Sequence, residues 1–381
     1  MPEISGTPSF FQIGFPKDKS PEYILAIRHL FRSLAPLPAA THSTSSDTVS
    51  DFNAVFRKVA PQMAALDLFM QGQVACFEPE IQSMAKYCLE STGKRLRPTL
   101  VFVSGWLGDD IVNDSLVRVA GVVEMVHLAT LVHDDIMDEA EIRRNRRTAG
   151  REFGTDAAVL LGDTLFCQAL HVASLFPTNE VCRLVSESTR KVCSGEIMQT
   201  LRRPGTSLTL AQYYRVIDLK TAELFRVSCR LGALITGSSP GFVQAANDYG
   251  RHLGIAYQIY DDLVDFLGEE KQIGKTLGTD LATGKLTLPL MLLLEKLPKS
   301  ERDTVLNALQ GGGPLPLASS VGRMRELGIG EGVVSAIGSE LELARNALAP
   351  YGSQMAVPLM LQLCEVLTAQ VKALQTTSIS T

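Results

Sequence analysis

The sequence predicts an all-α protein, a single large domain of many helices behind an N-terminal extension. Two observations carry that expectation. From Asp51 onward apolar residues recur three and four apart in one stretch after another, and no alternating run of strand length interrupts them. Leu and Ala abound while aromatics make up only 6%, a balance that favours helix packing over a β-sandwich. With 381 residues and a hydrophobic fraction of 45%, the chain can bury a large core.

Residues 1–50 read differently from the rest. The Ser-Pro start and helical spacing of "SPEYILAIRHLFRSL" predict a short amphipathic helix, and "SLAPLPAATHSTSSDTVS" predicts a linker. The main all-helical domain is expected over 51–381. Helices follow in "FRKVAPQMAALDLFMQGQV", "EPEIQSMAKYCLEST", "DSLVRVAGVVEMVHLATLVHDDIMDEA" and "LAQYYRVIDLKTAELFRVSCRLGALITG", with breaks at "RRPGTS", "GSSPG" and "QGGGPLPL". The long apolar segment "AAVLLGDTLFCQALHVASLF" is interrupted by Asp163, Gln168 and His171, so a core helix is expected there and no transmembrane segment.

A net charge of -5 argues against nucleic-acid binding by bulk electrostatics, so clustered arginines need a local explanation. The seven cysteines, Cys76, Cys88, Cys167, Cys182, Cys193, Cys229 and Cys364, show no CxxC or zinc spacing. They read as reduced thiols of a cytoplasmic protein, and no secretory signal pattern opens the chain.

Carboxylates mark the functional region. "HDDIMD" places Asp134, Asp135 and Asp138 at the end of an apolar helix, and "YDDLVD" repeats the pattern at Asp261, Asp262 and Asp265. On a helix, residues four apart share a face, where like charges repel. A single cluster reads equally well as a solvated helix end; two, each ending a buried helix, do not read as accidents. Facing one another they can share Mg²⁺ ions, which take one or two carboxylates plus phosphate oxygens. Cations accompany them: Lys94, Arg95 and Arg97 in "GKRLRP", Arg143, Arg144, Arg146 and Arg147 in "RRNRR", Lys220 beside Thr221 in an apolar helix, and Lys275 and Lys285 in a Gly-rich stretch. Arginine forks and lysine charges are phosphate ligands. One metal-bridged and one purely basic anion site suit the joining of two diphosphate substrates through a carbocation, with leaving-group stabilisation supplying most of the rate.

The motifs "GKRLRP", "EMVHLATLVHDDIMDEAEIRR", "FGTDAAVLLGDTLF", "GEIMQ", "KTAELF", "YQIYDDLVDFLG" and "GKTLGTDLATGKLTLPL" resemble, in order, those of trans-prenyl diphosphate synthases of the isoprenoid synthase superfamily. The resemblance runs from about Asp51 to Leu374. It implies a bundle of long helices around a deep central cavity, assembled as a homodimer, with three Mg²⁺ ions when substrate is bound. It implies Asp134, Asp138 and Asp261 as direct metal ligands, with Asp135, Asp262 and Asp265 completing the clusters. Arg143, Lys220, Thr221, Gln258 and Lys275 are similar to residues around the allylic diphosphate. Lys94, Arg97, His127 and Arg144 resemble the isopentenyl diphosphate site. One departure is Asn145, where the family commonly has Gly.

Four and five residues before Asp134, where short-chain members of the family carry bulky aromatics, stand Thr130 and Ala129. A tail growing past them toward Val126, Met125 and Val122 would meet an open floor. That implies a long-chain polyprenyl product, such as a quinone side-chain precursor, over farnesyl or geranylgeranyl diphosphate. Peripheral membrane contact for releasing such a product is a further expectation. A terpene cyclase or a head-to-head condensing enzyme is disfavoured by the second DDxxD and by "GKRLRP". A non-catalytic subunit of a heteromeric synthase is disfavoured because all six aspartates are present.

Overall fold

The computed structural model describes residues 54–90, 93–201, 209–267, 285–309 and 317–379. The expectations for residues 1–50 and for Lys275 lie outside these residues. The described chain is helical almost throughout. In order come α1 (Ala60–Val74), α2 (Pro79–Glu90), α3 (Leu96–Ser104) and α4 (Asp114–Met137). A small hairpin follows, β1 (Ile142–Arg143) with β2 (Arg146–Arg147), then α5 (Ala149–Phe153), α6 (Thr155–Ser174) and α7 (Glu180–Thr200). Next are α8 (Leu210–Ile217), a π turn (Asp218–Ala222), α9 (Glu223–Ile235) and α10 (Pro240–Leu267). The chain ends with α11 (Leu288–Lys296), α12 (Lys299–Asn307), α13 (Leu317–Glu326), α14 (Ile329–Leu348) and α15 (Val357–Ile379).

Local chemistry fixes where the key helices begin. Asn113 caps α4 by accepting the Leu116 amide at 3.0 Å, satisfying one of the orphan donors of the first turn. Thr209 and Gln212 form a reciprocal capping box at the start of α8. α4 is the central element, packed against α6, α3, α1 and α9. Val119, Ala120, Val122, Met125 and Ala129 are each buried along it. A helix enclosed on several sides must be apolar around most of its circumference, which is why its sequence shows little amphipathic contrast. α10 runs beside α9 and α14. α9 and α10 approach closely because Gly250 and Gly254 carry no side chain: a Cβ at Gly254 would lie 2.6 Å from the Ala222 Cα.

Two findings differ from expectation. The antiparallel hairpin was invisible to a strand search because its strands are two residues each. Its connecting pair, Arg144 and Asn145, has φ of 51° and 60°, the twisted two-residue turn that requires positive φ at both positions. Asn tolerates that region better than most residues, so Asn145 can occupy the positive-φ position where the family commonly has Gly. Second, three helices are long and apolar enough to cross a membrane by length and composition: Asp114–Met137, Thr155–Ser174 and Val357–Gln375. The first is mostly buried within the protein, at 72% of its window, while the other two are buried over 39% and 44%. The segment expected as a core helix, α6, therefore buries only part of its surface, and Leu160 on it is 65% exposed.

Candidate active site

α4 and α10 both end in carboxylates. A helix C-terminus already carries partial negative charge, so acids there are unfavourable without a cation. Asp134, Asp138 and Asp261 line one cavity of about 1030 Å³. Burial pushes the Asp134 carboxyl up to about 6, against the pull of Lys220. Asp135, Asp262 and Asp265 are buried and are not among the residues lining that cavity. Asp135 accepts from the Arg143 Nε at 2.5 Å. Asp262 accepts from the Tyr213 hydroxyl at 2.7 Å and from the Gln258 amide at 2.8 Å. The expected six-membered metal set thus divides into three acids facing the cavity and three behind them.

Among the described residues no three metal-binding side chains converge on one point. That arrangement fits Mg²⁺, which keeps to one or two carboxylates and takes its remaining ligands from phosphate oxygens and water. The hard oxygen donors, and the penalty that burial places on an Asp134 carboxylate left without a cation, fit a divalent cation shared with a diphosphate.

A basic wall stands across the same cavity. Lys94, Arg97 and Arg144 line it together with His127. Arg97 is half-buried, contacts the His127 Nε2 at 2.9 Å, and holds its guanidinium 5.3 Å from the centre of the Phe225 ring. Burial first, then the neighbouring Arg97, Arg144 and Arg143 charges, push the His127 pKa well down. His127 is therefore neutral. With Nε2 accepting from Arg97, its proton sits on Nδ1. Glu124 is fully buried and lies 3.6 Å from Arg95. Arg95, Arg97 and Arg144 oppose the rise that burial imposes on its carboxyl. The Arg144 guanidinium crosses directly over Gly93, where any Cβ would collide with it. The absent side chain lets the hairpin and the "GKRLRP" turn meet.

The π turn supplies the third wall. Lys220 and Thr221 project into the cavity from it, consistent with the frequent placement of π turns at functional sites. Lys220 pairs with Glu196 of α7. Thr221 donates to the Gln258 side-chain oxygen at 2.6 Å, and Gln258 in turn donates to Asp262. A hydrogen-bond chain therefore runs from the π turn through α10 to Tyr213 on α8. A Cβ at Gly195 would lie 2.7 Å from the Lys220 amide nitrogen, so α7 lies directly against the turn.

Of the residues named from sequence, Lys94, Arg97, His127, Thr130, Asp134, Asp138, Arg143, Arg144, Lys220, Thr221, Gln258 and Asp261 share the cavity. Lys285 joins them. Ala129 does not: it is fully buried in the core, as are Val122 and Met125, with Val126 nearly so. The face of α4 expected to border an open floor is buried at these positions. Thr130 does reach the cavity, its hydroxyl donating to the His127 carbonyl at 2.7 Å. Sequence reasoning gave no role to Glu124, Glu196, Tyr213 or Tyr257. A carboxylate inside the apolar run "AGVVEMVHLA" was a usable signal for Glu124, because buried acids need partners. Tyr213 carried no comparable signal.

The polyprenyl synthetase family model matches residues 78–314. The chain is 33% identical over 254 residues to the octaprenyl diphosphate synthase of Haemophilus influenzae, spanning 66% of this chain and 77% of that protein. It superposes with TM-score 0.77 and 30% identity on a decaprenyl diphosphate synthase from Rhodobacter capsulatus, covering 84% of this chain and 99% of the other. A polyprenyl synthase from Caulobacter crescentus, solved with calcium and isoprenyl diphosphate, gives TM-score 0.77 at 26% identity over 86% and 99% of the two chains. Two opposed acidic helix ends facing a basic wall, in a helical bundle of this topology, agree with those matches: the chain belongs to the polyprenyl synthetase family.

Proposed function

We propose that this chain is a trans-prenyltransferase that joins isopentenyl diphosphate head-to-tail to an allylic diphosphate and repeats the step to a long-chain polyprenyl diphosphate. The observation that carries this reading is the single cavity in which Asp134, Asp138 and Asp261 face Arg97, His127 and Arg144. The octaprenyl and decaprenyl products in the names of its relatives support a long product over farnesyl or geranylgeranyl diphosphate.

Mg²⁺, three ions with substrate bound, would supply the charge that stabilises departing diphosphate. Asp134, Asp138 and Asp261 would hold it. Lys220, released in part from Glu196 by a more highly charged partner, binds the allylic diphosphate, and Arg143 adds a second contact. Lys94, Arg97 and Arg144 bind the other diphosphate without metal, and the neutral His127 offers its Nδ1 proton as a donor. Thr221 and Gln258 present oxygen atoms near the allylic carbon, where positive charge develops. The allylic C–O bond breaks with its electron pair on the leaving diphosphate. The isopentenyl alkene then forms the new C–C bond, and a proton leaves to restore a double bond.

Leu160 of α6 and Leu201, directly after α7, are 65% and 78% exposed. Such apolar exposure supports the homodimer. All seven cysteines are free, which supports a reducing, cytoplasmic setting. The apolar exposure of α6 is also compatible with peripheral membrane contact during product release. The test is turnover by the purified chain with Mg²⁺, isopentenyl diphosphate and an allylic primer. Polyprenyl products of seven or more isoprene units, on the order of those named for the relatives, are expected. Products ending at farnesyl diphosphate would remove the long-chain assignment, and full turnover in EDTA would remove the metal.

A further inference from the structure

A second cavity of about 310 Å³ shares no residue with the first and lies against the same π turn. Arg190 and Lys191 of α7, Arg215 of α8, Arg226 of α9 and Arg251 of α10 line it, opposed by only two carboxylates, Asp218 and Glu223. Both carboxylates are already engaged. Arg251 holds Asp218 through two bonds of 2.9 Å. Arg226 pairs with Glu223 and donates to the Asn247 side-chain oxygen at 2.7 Å. Lys191 lies 3.5 Å from Glu223 and 2.8 Å from Glu187. Arg190 and Arg215 are exposed and form no ion pair with any described residue. A concentration of positive charge in a chain of net charge -5 is unfavourable unless an anion joins it.

We propose that this cavity is a second anion site, distinct from the catalytic one, that takes a small polyanion of the diphosphate or phosphate-ester class. Arg190 and Arg215 supply the uncommitted charge at the mouth, and Arg226 and Arg251, engaged by Glu223 and Asp218, add positive charge behind them. The charged lining suits a small polyanion and offers a prenyl chain almost no apolar surface. Position gives the site a consequence. Asp218 opens the π turn and Glu223 directly follows it. An anion competing for Arg251, Arg226 or Lys191 loosens the contacts that hold both ends of the turn carrying Lys220 and Thr221. On α7, Ser194 lines this cavity and Glu196, two residues on, holds Lys220 in the other. Occupancy here therefore changes how Lys220 is held. The site stands on its own charge and geometry; only the identification of its diphosphate ligand with a reaction product rests on the proposed function.

The experiment is isothermal titration of sodium pyrophosphate in EDTA into the full chain, Arg97→Ala, and the double variant Arg190→Glu/Arg215→Glu. Two binding events are expected for the unmodified chain. Arg97→Ala should lose the catalytic one, and the double variant should lose the other or weaken it at least about tenfold, equal to roughly 1.4 kcal/mol. The double variant should keep its circular dichroism spectrum and its turnover without added pyrophosphate. Unchanged binding in the double variant, or a single event that Arg97→Ala abolishes, overturns the site. If Arg97→Ala changes nothing while the double variant loses an event, the second site stands and the catalytic assignment of Arg97 fails. Parallel titrations with inorganic phosphate and glycerol 3-phosphate separate the sources. Preference for pyrophosphate points to the reaction product, and equal binding of the ester points to an organic phosphate.

Discussion

Asp134 sits in the last turn of α4, where helix carbonyls already present negative charge, and it is largely enclosed. Its carboxyl titrates at about 6 in the folded metal-free protein, above the ordinary value of 3.8, because burial disfavours the anion. The sign of the linkage follows. Above pH 6 the folded state pays for an ionised Asp134, and this destabilisation fades as pH falls toward 3.8. Asp134→Asn should therefore raise the Tm of the metal-free protein by a few degrees at pH 7.5, with the gap narrowing to about a third of that by about pH 4.5. The same variant should lose turnover by several orders of magnitude. Scanning calorimetry at the two pH values checks the first claim; an unchanged Tm at pH 7.5 would mean that the carboxylate is already satisfied. The cations should separate kinetically. Arg97→Ala should raise KM for isopentenyl diphosphate, and Arg143→Ala should weaken the allylic substrate. Each loses a charge-assisted contact worth about 1.5–3 kcal/mol, roughly a tenfold to hundredfold effect. Arg97→Ala acting only on the allylic partner would reverse the assignment of the two walls.

Along α4, neighbouring positions have opposite surroundings, and this decides which one governs product length. Thr130 borders the cavity while Ala129 is sealed in the core. Thr130→Phe should shorten the products while leaving diphosphate release intact, since the ring would occupy space next to the growing tail. Ala129→Phe should instead destabilise the fold by about 1–3 kcal/mol, the usual penalty for overpacking. Product chromatography and denaturant unfolding of both variants distinguish the two sites. Shortened products from Ala129→Phe with unchanged stability would restore the floor that the sequence suggested. Periodicity reports which face of a helix is apolar, not whether that face borders a void or another helix. For the same reason "LAQYYRVIDLKTAELFRVSCRLGALITG" reads as one helix, although Asp218–Ala222 is a π turn. The one trace of it is polar Lys220 and Thr221 at positions where the apolar period from Tyr213 and Ile217 calls for core residues.

At the scale of the molecule, the exposed Leu160 lies on α6, which also lines the catalytic cavity through Val159 and Phe166, and the exposed Leu201 directly follows α7, which lines it through Val192 and Ile197. Leu160→Arg should yield a monomer by sedimentation velocity if this face joins two copies; an unchanged dimer would place the interface elsewhere. The helical class and the cavity aspartates were legible because helical periodicity and the two DDxxD patterns are local features of the sequence, whereas His127, Thr221, Gln258 and the division of the basic residues between two substrates came only from the family resemblance. The partnerships of Lys220 with Glu196 and of Asp262 with Tyr213 were not legible, because they join helices far apart in sequence. The widened turn between α8 and α9 has a consequence for rotational phase. Removing one residue from 218–222 would leave every acidic motif untouched, yet turn α8 by about 100° against α9. Tyr213 would swing off Asp262 and Arg215 away from Arg226. At this point in the chain, residue number keeps two charged cavities in angular step, and a one-residue deletion would uncouple them without altering a single ligand.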